Sequence, residues 1–248
     1  MKTREFAAGG YRYIEGVFQY SAGARASDGQ EIVRLQFRRP VALAEGFTRI
    51  ERHLTESDRP LAAFCACELR SPAPFSEAGF RSFNEHYVGM LDRWGILQEG
   101  HSPLARSNVC PAVEPPSEPS FHAFCYTRPA IGGLPSFVIS GSGETTEGLG
   151  SYRDHIVRYG DTSRDGLRKK ALHVLSVMER RLATLDLGWA DTTHTQVYTI
   201  HDLHPFLADD LVLRGAARCG FTWHFDRPPV VGLEYEMDCR GVPVELVV

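Results

Sequence analysis

The chain has 248 residues, enough for one large or two small domains, each with its own apolar core. A net charge of −4 without a basic stripe argues against nucleic acid or an anionic membrane as partner, and a ribonuclease reading fits badly for the same reason. No apolar run approaches the roughly 20 residues a membrane helix needs, and Met1–Phe6 followed by Ala7-Ala-Gly-Gly10 lacks the apolar centre of a signal peptide, so the expected compartment is the cytoplasm.

In chain order, Tyr11–Ala26 reads as a strand pair or one bent strand ending at Ser21-Ala-Gly23. Glu31–Arg38 alternates as another strand. Ala44–Leu54 reads as a helix with Phe47, Ile50 and Leu54 on one face. Leu61–Leu69 is a strand of small residues. Phe80–Trp94 is a second helix, with Phe80, Phe83, Tyr87 and Leu91 at helical spacing. Ala105–Pro111 and Ser120–Thr127 are strands flanking the Pro115-Pro116 turn.

Beyond Gly132 a similar series begins again. Ser136–Gly141 is a strand, and Gly143–Gly160 is a long Gly-rich connection. Ser163 is the expected N-cap of the clearest helix. Its apolar stripe includes Leu167, Ala171, Val174, Leu175, Met178, Leu182 and Leu185, with Arg168, Lys169, Glu179, Arg180 and Arg181 on the solvated side. Gly188 suits the left-handed position after its end. Asp191–His201 alternates as a strand, Leu207–Ala217 is a weaker helix, and Cys219–Phe225 and Gly232–Asp238 are closing strands. In the last, Leu233, Tyr235 and Met237 share one face and Glu234, Glu236 and Asp238 the other. Glu114–Phe124 aligns with Arg227–Met237 around a Pro-Pro pair, which points to a tandem repeat with domains at 1–128 and 129–248.

The six cysteines read as small core hydrophobes. Cys65-Ala-Cys67 lacks the spacing and partners of a zinc site, and disulfides are not expected in the cytoplasm. No metal is expected: His201 and His204 want a third ligand that the spacing of Asp202 does not supply. Ser140-Gly-Ser-Gly143 lacks the lysine of a phosphate loop and the pattern of a nucleophile elbow, and reads as a tight turn.

The element order and four local matches resemble the Rid/YjgF family of reactive-intermediate (enamine/imine) deaminases, also called L-PSP-like. The matches are Ser140-Gly141 with Ser21-Ala-Gly23, Asn84-Glu-His-Tyr87, Ala105-Arg-Ser107 and Leu233-Glu-Tyr-Glu236. The resemblance covers both halves. It implies an α+β fold of two tandem Rid/YjgF-like (chorismate-mutase-like) domains, each a mixed sheet with helices packed on one face. It also implies sites in clefts between neighbouring units, with no cofactor. In that family an arginine grips the substrate carboxylate and a glutamate on the last strand handles water. The substrate is a 2-imino or 2-enamino acid. Such chemistry needs little more than positioning, because an imine carbon is already electrophilic. A guanidinium fork matches a carboxylate, and a carboxylate in a dry cleft serves as acid or base.

The sequence departs from the pattern. The first half keeps Arg106 and Asn84 as candidate substrate-binding residues, but has Phe121, beside His122, at the family's glutamate position. The second half keeps Glu234 but has Cys219 at the arginine position, and Asp209 or Asp210 near the asparagine position. Either the sites have diverged or one composite cleft combines both halves, with Glu234 or His122 as the catalytic acid–base. The expected function is a cofactor-independent hydrolytic deaminase of an imine or enamine acid. An aminomuconate-type catabolic intermediate fits the family's association with aromatic degradation. The alternative is a non-catalytic small-carboxylate-binding or regulatory protein. A homo-oligomer is expected, most simply a homotrimer forming a pseudo-hexamer, because helices on one face leave the other face of each sheet to be covered.

Overall fold

The structure is a computed structural model and describes residues 1–146 and 151–248; part of the Gly143–Gly160 connection therefore lies outside the described residues. The first strands are β1 (Thr3–Phe6), β2 (Tyr11–Ile14), β3 (Gly23–Ala26) and β4 (Gln30–Ala42). Helix α1 (Leu43–Glu56) leads to β5 (Phe64–Arg70), and α2 (Glu77–Arg93) leads to β6 (Ala105–Pro111) and β7 (Ser120–Pro129). Next come β8 (Phe137–Gly143), the short α3 (Tyr152–His155) and the long α4 (Arg164–Thr184). The chain closes with β9 (His194–Tyr198), β10 (Thr222–His224), β11 (Asp226–Arg227), β12 (Glu236–Gly241) and β13 (Val244–Val247).

The fold is α+β, with two mixed sheets in the orders β1-β2-β3-β8-β12-β9-β10 and β11-β6-β5-β7-β4-β13. One pairing pattern occurs in both. The block β4-β7-β5-β6 runs antiparallel, antiparallel, parallel, and so does β8-β12-β9-β10. Helices cover one face of each. Phe47, Ile50 and Leu54 of α1 and Phe80, Phe83, Tyr87 and Leu91 of α2 are buried in one core with β4, β5 and β7. The stripe of α4 is buried in a second core with β8, β9 and β12. Both α2 and α4 start on a serine whose Oγ accepts a backbone N–H, Gly79 onto Ser76 and Gly166 onto Ser163, at 3.1 Å each.

The strand pairing crosses residues 128 and 129 in both directions. β3 pairs with β8, placing β1–β3 in the sheet built mainly from the second half, while β11 and β13 pair with β6 and β4 of the first. β1 and β13 are not among the strands expected from the sequence; each is a short edge strand, β1 paired with the nearby β2 and β13 with the distant β4.

Four local expectations are corrected. Ser140–Gly143 is part of β8, not a tight turn, because Gly143 and Ser142 pair with Glu236 and Met237. The left-handed residue after α4 is Asp186 (φ 59°), whereas Gly188 is extended (φ −145°). Arg181 is buried, since Nη1 donates to the backbone oxygens of Ser140 (2.8 Å) and Gly141 (3.2 Å). The weak helix at 207–217 is a π-helical turn over Leu207–Val212 after a one-turn helix at His204–Phe206. Among the described residues no helix is long and apolar enough to cross a membrane.

Candidate active site

β6 lies parallel to β5 with Arg106 beside Cys67, at the edge where β6 approaches β8. The serines of the two Ser-Gly matches meet here. Ser140 Oγ accepts from the Arg106 N–H at 3.0 Å and donates to the Ser21 carbonyl at 2.6 Å, and the Ser21 N–H donates to the Leu104 carbonyl. One hydroxyl thus joins β8, the approach to β3 and the Arg106 backbone.

The Arg106 side chain is 2 % exposed. A guanidinium loses a large hydration energy on burial and needs replacement partners. Nη2 donates to Asn84 Oδ1 on α2 at 2.7 Å, and the group lies over the rings of Tyr87 (4.8 Å), Tyr20 (4.9 Å) and Phe83 (5.6 Å). Nη1 is buried and has no hydrogen-bond partner among the described residues. Asn108, two residues on and on the same strand face, repeats this arrangement. Its Oδ1 accepts from Ser71 Oγ at 2.9 Å, which orients the amide, and its buried Nδ2 has no partner among the described residues. Thr145 Oγ1, just beyond β8, is buried and unpartnered in the same sense.

Arg106, Asn108 and Thr145 line one cavity with Glu236 of β12, walled by Tyr20, Phe80, Tyr152, Val230 and Leu233 among others. Its volume is about 30 Å³, on the scale of a single water or one small polar group. Gly141 makes room for the acid: a Cβ there would overlap Glu236 Oε1 and sit 3.0 Å from Ser107 Cβ. The cavity therefore combines a cation, an amide N–H, a hydroxyl and a carboxylate with aromatic and aliphatic walls, drawn from both sheets.

The structure separates the other two sequence candidates from Arg106. Glu234 precedes β12 and accepts from His201 Nε2 at 2.8 Å, with both side chains about one-fifth exposed. The acid–apolar alternation does not continue as strand through 232–238; β12 starts only at Glu236. His122 points to the opposite face of β7 from Phe121, whose ring packs on Phe47. It lies in a polar interior between the sheets, near Glu68, Arg70, Arg34 and His224. Burial, reinforced by Arg70, lowers the His122 imidazole to about 3. At neutral pH it is uncharged and has no proton to give as an imidazolium. In the same interior, burial pushes the Glu68 carboxyl up, but its 2.6 Å contact with Arg34 and the nearby Arg240 hold it well below the usual range.

The remaining candidates fall elsewhere. His204 pairs with Asp202, Asp210 with Arg168, and Cys219 is exposed with Sγ 3.4 Å from the Thr192 carbonyl. Asn108 and Glu236 line the cavity, and sequence reasoning misses both. The two-residue strand period from Arg106 points to Asn108, and Glu236 shares the face of Glu234 in the sequence pattern; Thr145 carries no local signal.

Residues 3–246 match the family model described as 2-aminomuconate deaminase CnbZ. The chain belongs to that family. It is 50 % identical over 244 residues to a 2-amino-5-chloromuconate deaminase of Comamonas testosteroni, covering 98 % of this chain and 97 % of the relative. Among solved structures, a chorismatase aligns at TM-score 0.47 and 14 % identity, covering 89 % of this chain and 77 % of that one. The YjgF gene product of E. coli aligns at TM-score 0.31 and 16 % identity, over 46 % of this chain and 84 % of that one.

Proposed function

We propose that this chain is a cofactor-independent hydrolytic deaminase of an aminomuconate-type acid, with Arg106 and Asn108 binding a substrate carboxylate and Glu236 carrying the protons. Membership of the family and the name of the relative support the substrate class. The observation that carries the site is the convergence of two buried donors without partners among the described residues, Arg106 Nη1 and Asn108 Nδ2, on a cavity that also holds Glu236. An unpaired buried donor is costly, so a site that keeps two of them side by side is built to receive an acceptor.

The reaction follows from those roles. A 2-amino-2-enoate gains a proton at C3 and becomes the 2-imino acid. Water adds to C2, giving a carbinolamine. The C2–N bond breaks as nitrogen takes a proton, and a 2-oxo acid and ammonia leave. In this reading Glu236 takes a proton from water and returns one to the leaving nitrogen. Arg106 neutralises the carboxylate next to C2, which would otherwise repel a hydroxide-like nucleophile. Asn84 does not line the cavity; it orients Arg106. The cavity as it stands is sized for one small polar group, on the scale of a carboxylate end rather than of a whole six-carbon acid.

The chain is further proposed to be a duplicated unit, supported by the pairing pattern that occurs twice, and to act in the cytoplasm, where its six free cysteines stay reduced. A homotrimeric assembly is proposed with it and is tested by sedimentation. The functional test is ammonia release from freshly generated 2-aminomuconate, wild type against Arg106→Ala and Glu236→Gln. Acceleration by the wild type that both variants lose supports the reading. Tight carboxylate binding without turnover in the wild type favours the non-catalytic alternative.

A further inference from the structure

Behind the cavity wall lies an ion pair that the chemistry above does not use. Glu144, the first residue after β8, and Lys170, in the second turn of α4, both have side chains 0 % exposed, and Lys170 Nζ lies 3.0 Å from Glu144 Oε1. Each makes further bonds that reach past the pair. Glu144 Oε1 accepts the backbone N–H of Glu234 at 2.7 Å, and Oε2 accepts that of Tyr235 at 3.1 Å. Lys170 Nζ donates to the Val157 carbonyl at 2.9 Å, and the Val157 N–H returns to the Glu144 carbonyl at 2.8 Å. Burial raises the Glu144 carboxyl above its ordinary range, while Lys170 and the backbone N–H groups oppose that rise.

The segments joined in this way carry the cavity. Glu144 is followed by Thr145, whose backbone bridges to Ile156. The Tyr152–Val157 segment brings Tyr152, and Glu234-Tyr235 sits between Leu233 and Glu236. Thr145, Leu233 and Glu236 are each next in sequence to a residue that belongs to the pair or is held by it, and Tyr152 is tied in through its carbonyl, which accepts the Ile156 N–H at 3.0 Å. A buried ion pair is a poor source of net stability, because desolvation offsets the attraction. Its geometry, however, is demanding, and a carboxylate that accepts two successive backbone N–H groups fixes the path of the chain as it enters β12.

We propose that the Glu144–Lys170 pair is a positioning device for Glu236, setting the reacting carboxylate over Gly141 and opposite Arg106, beyond any role in holding the fold. The proposal rests on the deaminase reading for its kinetic readout. It assigns neither residue to the chemistry itself, and it locates the pair's effect in kcat rather than in carboxylate affinity.

The test compares wild type, Lys170→Arg, Glu144→Gln and the double variant Glu144→Gln/Lys170→Met, with Arg168→Met as a control that removes a different ion pair of α4, the one with Asp210. Ammonia release from 2-aminomuconate gives kcat and KM, and thermal melts give stability. Lys170→Arg keeps both charges but shifts the carboxylate, so kcat is expected to fall roughly tenfold to a hundredfold with KM within about threefold. The double variant removes the buried charges and regains stability lost by the single change. Its kcat stays low, because a glutamine offers one acceptor oxygen where the carboxylate offered two. Arg168→Met keeps wild-type kcat.

If kcat in the double variant recovers together with its melting temperature, the pair is merely structural and the proposal is overturned. A crystal structure of Lys170→Arg is a readout that needs no turnover and no single-variant stability at Glu144. Glu236 displaced from its place over Gly141 supports the proposal; Glu236 unmoved, or kcat unchanged, overturns it. Wild type at the buffer rate instead overturns the deaminase reading, and the position of Glu236 in that crystal structure still decides the positioning claim.

Discussion

Asn84 Oδ1 accepts a hydrogen bond from Arg106 Nη2 at 2.7 Å, while Nη1 of the same guanidinium is buried beside the cavity with no partner among the described residues. The two residues are proposed to have separate roles, the arginine, which lines the cavity, meeting the ligand and the asparagine, which does not, setting its orientation. Arg106→Ala and Arg106→Lys are both expected to lower kcat/KM by about 2–5 kcal/mol, since lysine cannot reproduce a planar fork gripped between tyrosines. Asn84→Ala is expected to cost less, about 1–3 kcal/mol, and mainly in KM. Steady-state kinetics on the three variants checks the ranking; an Asn84 effect as large as that of Arg106 would contradict it.

The two neighbouring glutamates are expected to behave differently. Glu236→Gln keeps the shape of the cavity but removes its acid–base group, so kcat is expected to fall about 10²–10⁴-fold. Glu234→Gln alters only an edge contact with His201 and is expected to leave kcat within about threefold. Single-turnover ammonia release separates them. The reverse order would return the role to Glu234.

Gly141 offers a test that touches neither charge. A methyl group there collides with Glu236 Oε1 and crowds Ser107, with backbone rather than a flexible tip on one side. Gly141→Ala is expected to abolish measurable turnover while the protein still melts cooperatively, because the collision is relieved by moving Glu236. Unchanged activity would mean that Glu236 does not act from this position.

His122 predicts a pH dependence of stability rather than of catalysis. Its folded-state value of about 3 is far below the ordinary 6.5, through burial first and then Arg70. His224, lowered to about 4 by the same causes, acts in the same direction. Between those values and 6.5 the unfolded chain binds protons that the folded chain refuses. Stability is therefore expected to decline as pH falls below about 6.5, with a limiting slope of about 1.4 kcal/mol per pH unit for each histidine. Urea melts between pH 7.5 and 5.5 measure it. His122→Gln is expected to flatten the slope without removing deaminase activity at neutral pH.

The helices are legible in the sequence because their signals are local. Phe47, Ile50 and Leu54, or Leu167, Ala171 and Val174, recur at helical spacing, and Ser163 supplies its own cap. Asn84 and Arg106 are legible as candidates because each sits in a short family-like stretch. Their contact, like that of Ser140 with Ser21 and Arg106, is a fact of packing between segments that no window of sequence contains.

What the sequence by itself determined, then, is the main helices and most of the central strands, the α+β class and the residue types that a carboxylate site requires. The tertiary structure decided which acid lines the cavity beside Arg106. Strand alternation places Glu234 and Glu236 on one face without saying where the strand begins. That boundary is set by Glu144, which takes the N–H groups of Glu234 and Tyr235, and by β8, which pairs from Glu236 onward. It also decided which sheet receives β1–β3 and β13, and that His122 faces the polar interior instead of the cavity. Periodicity reports which side of a strand a residue occupies; only the distant hydrogen-bonding partners of that strand determine what lies on that side.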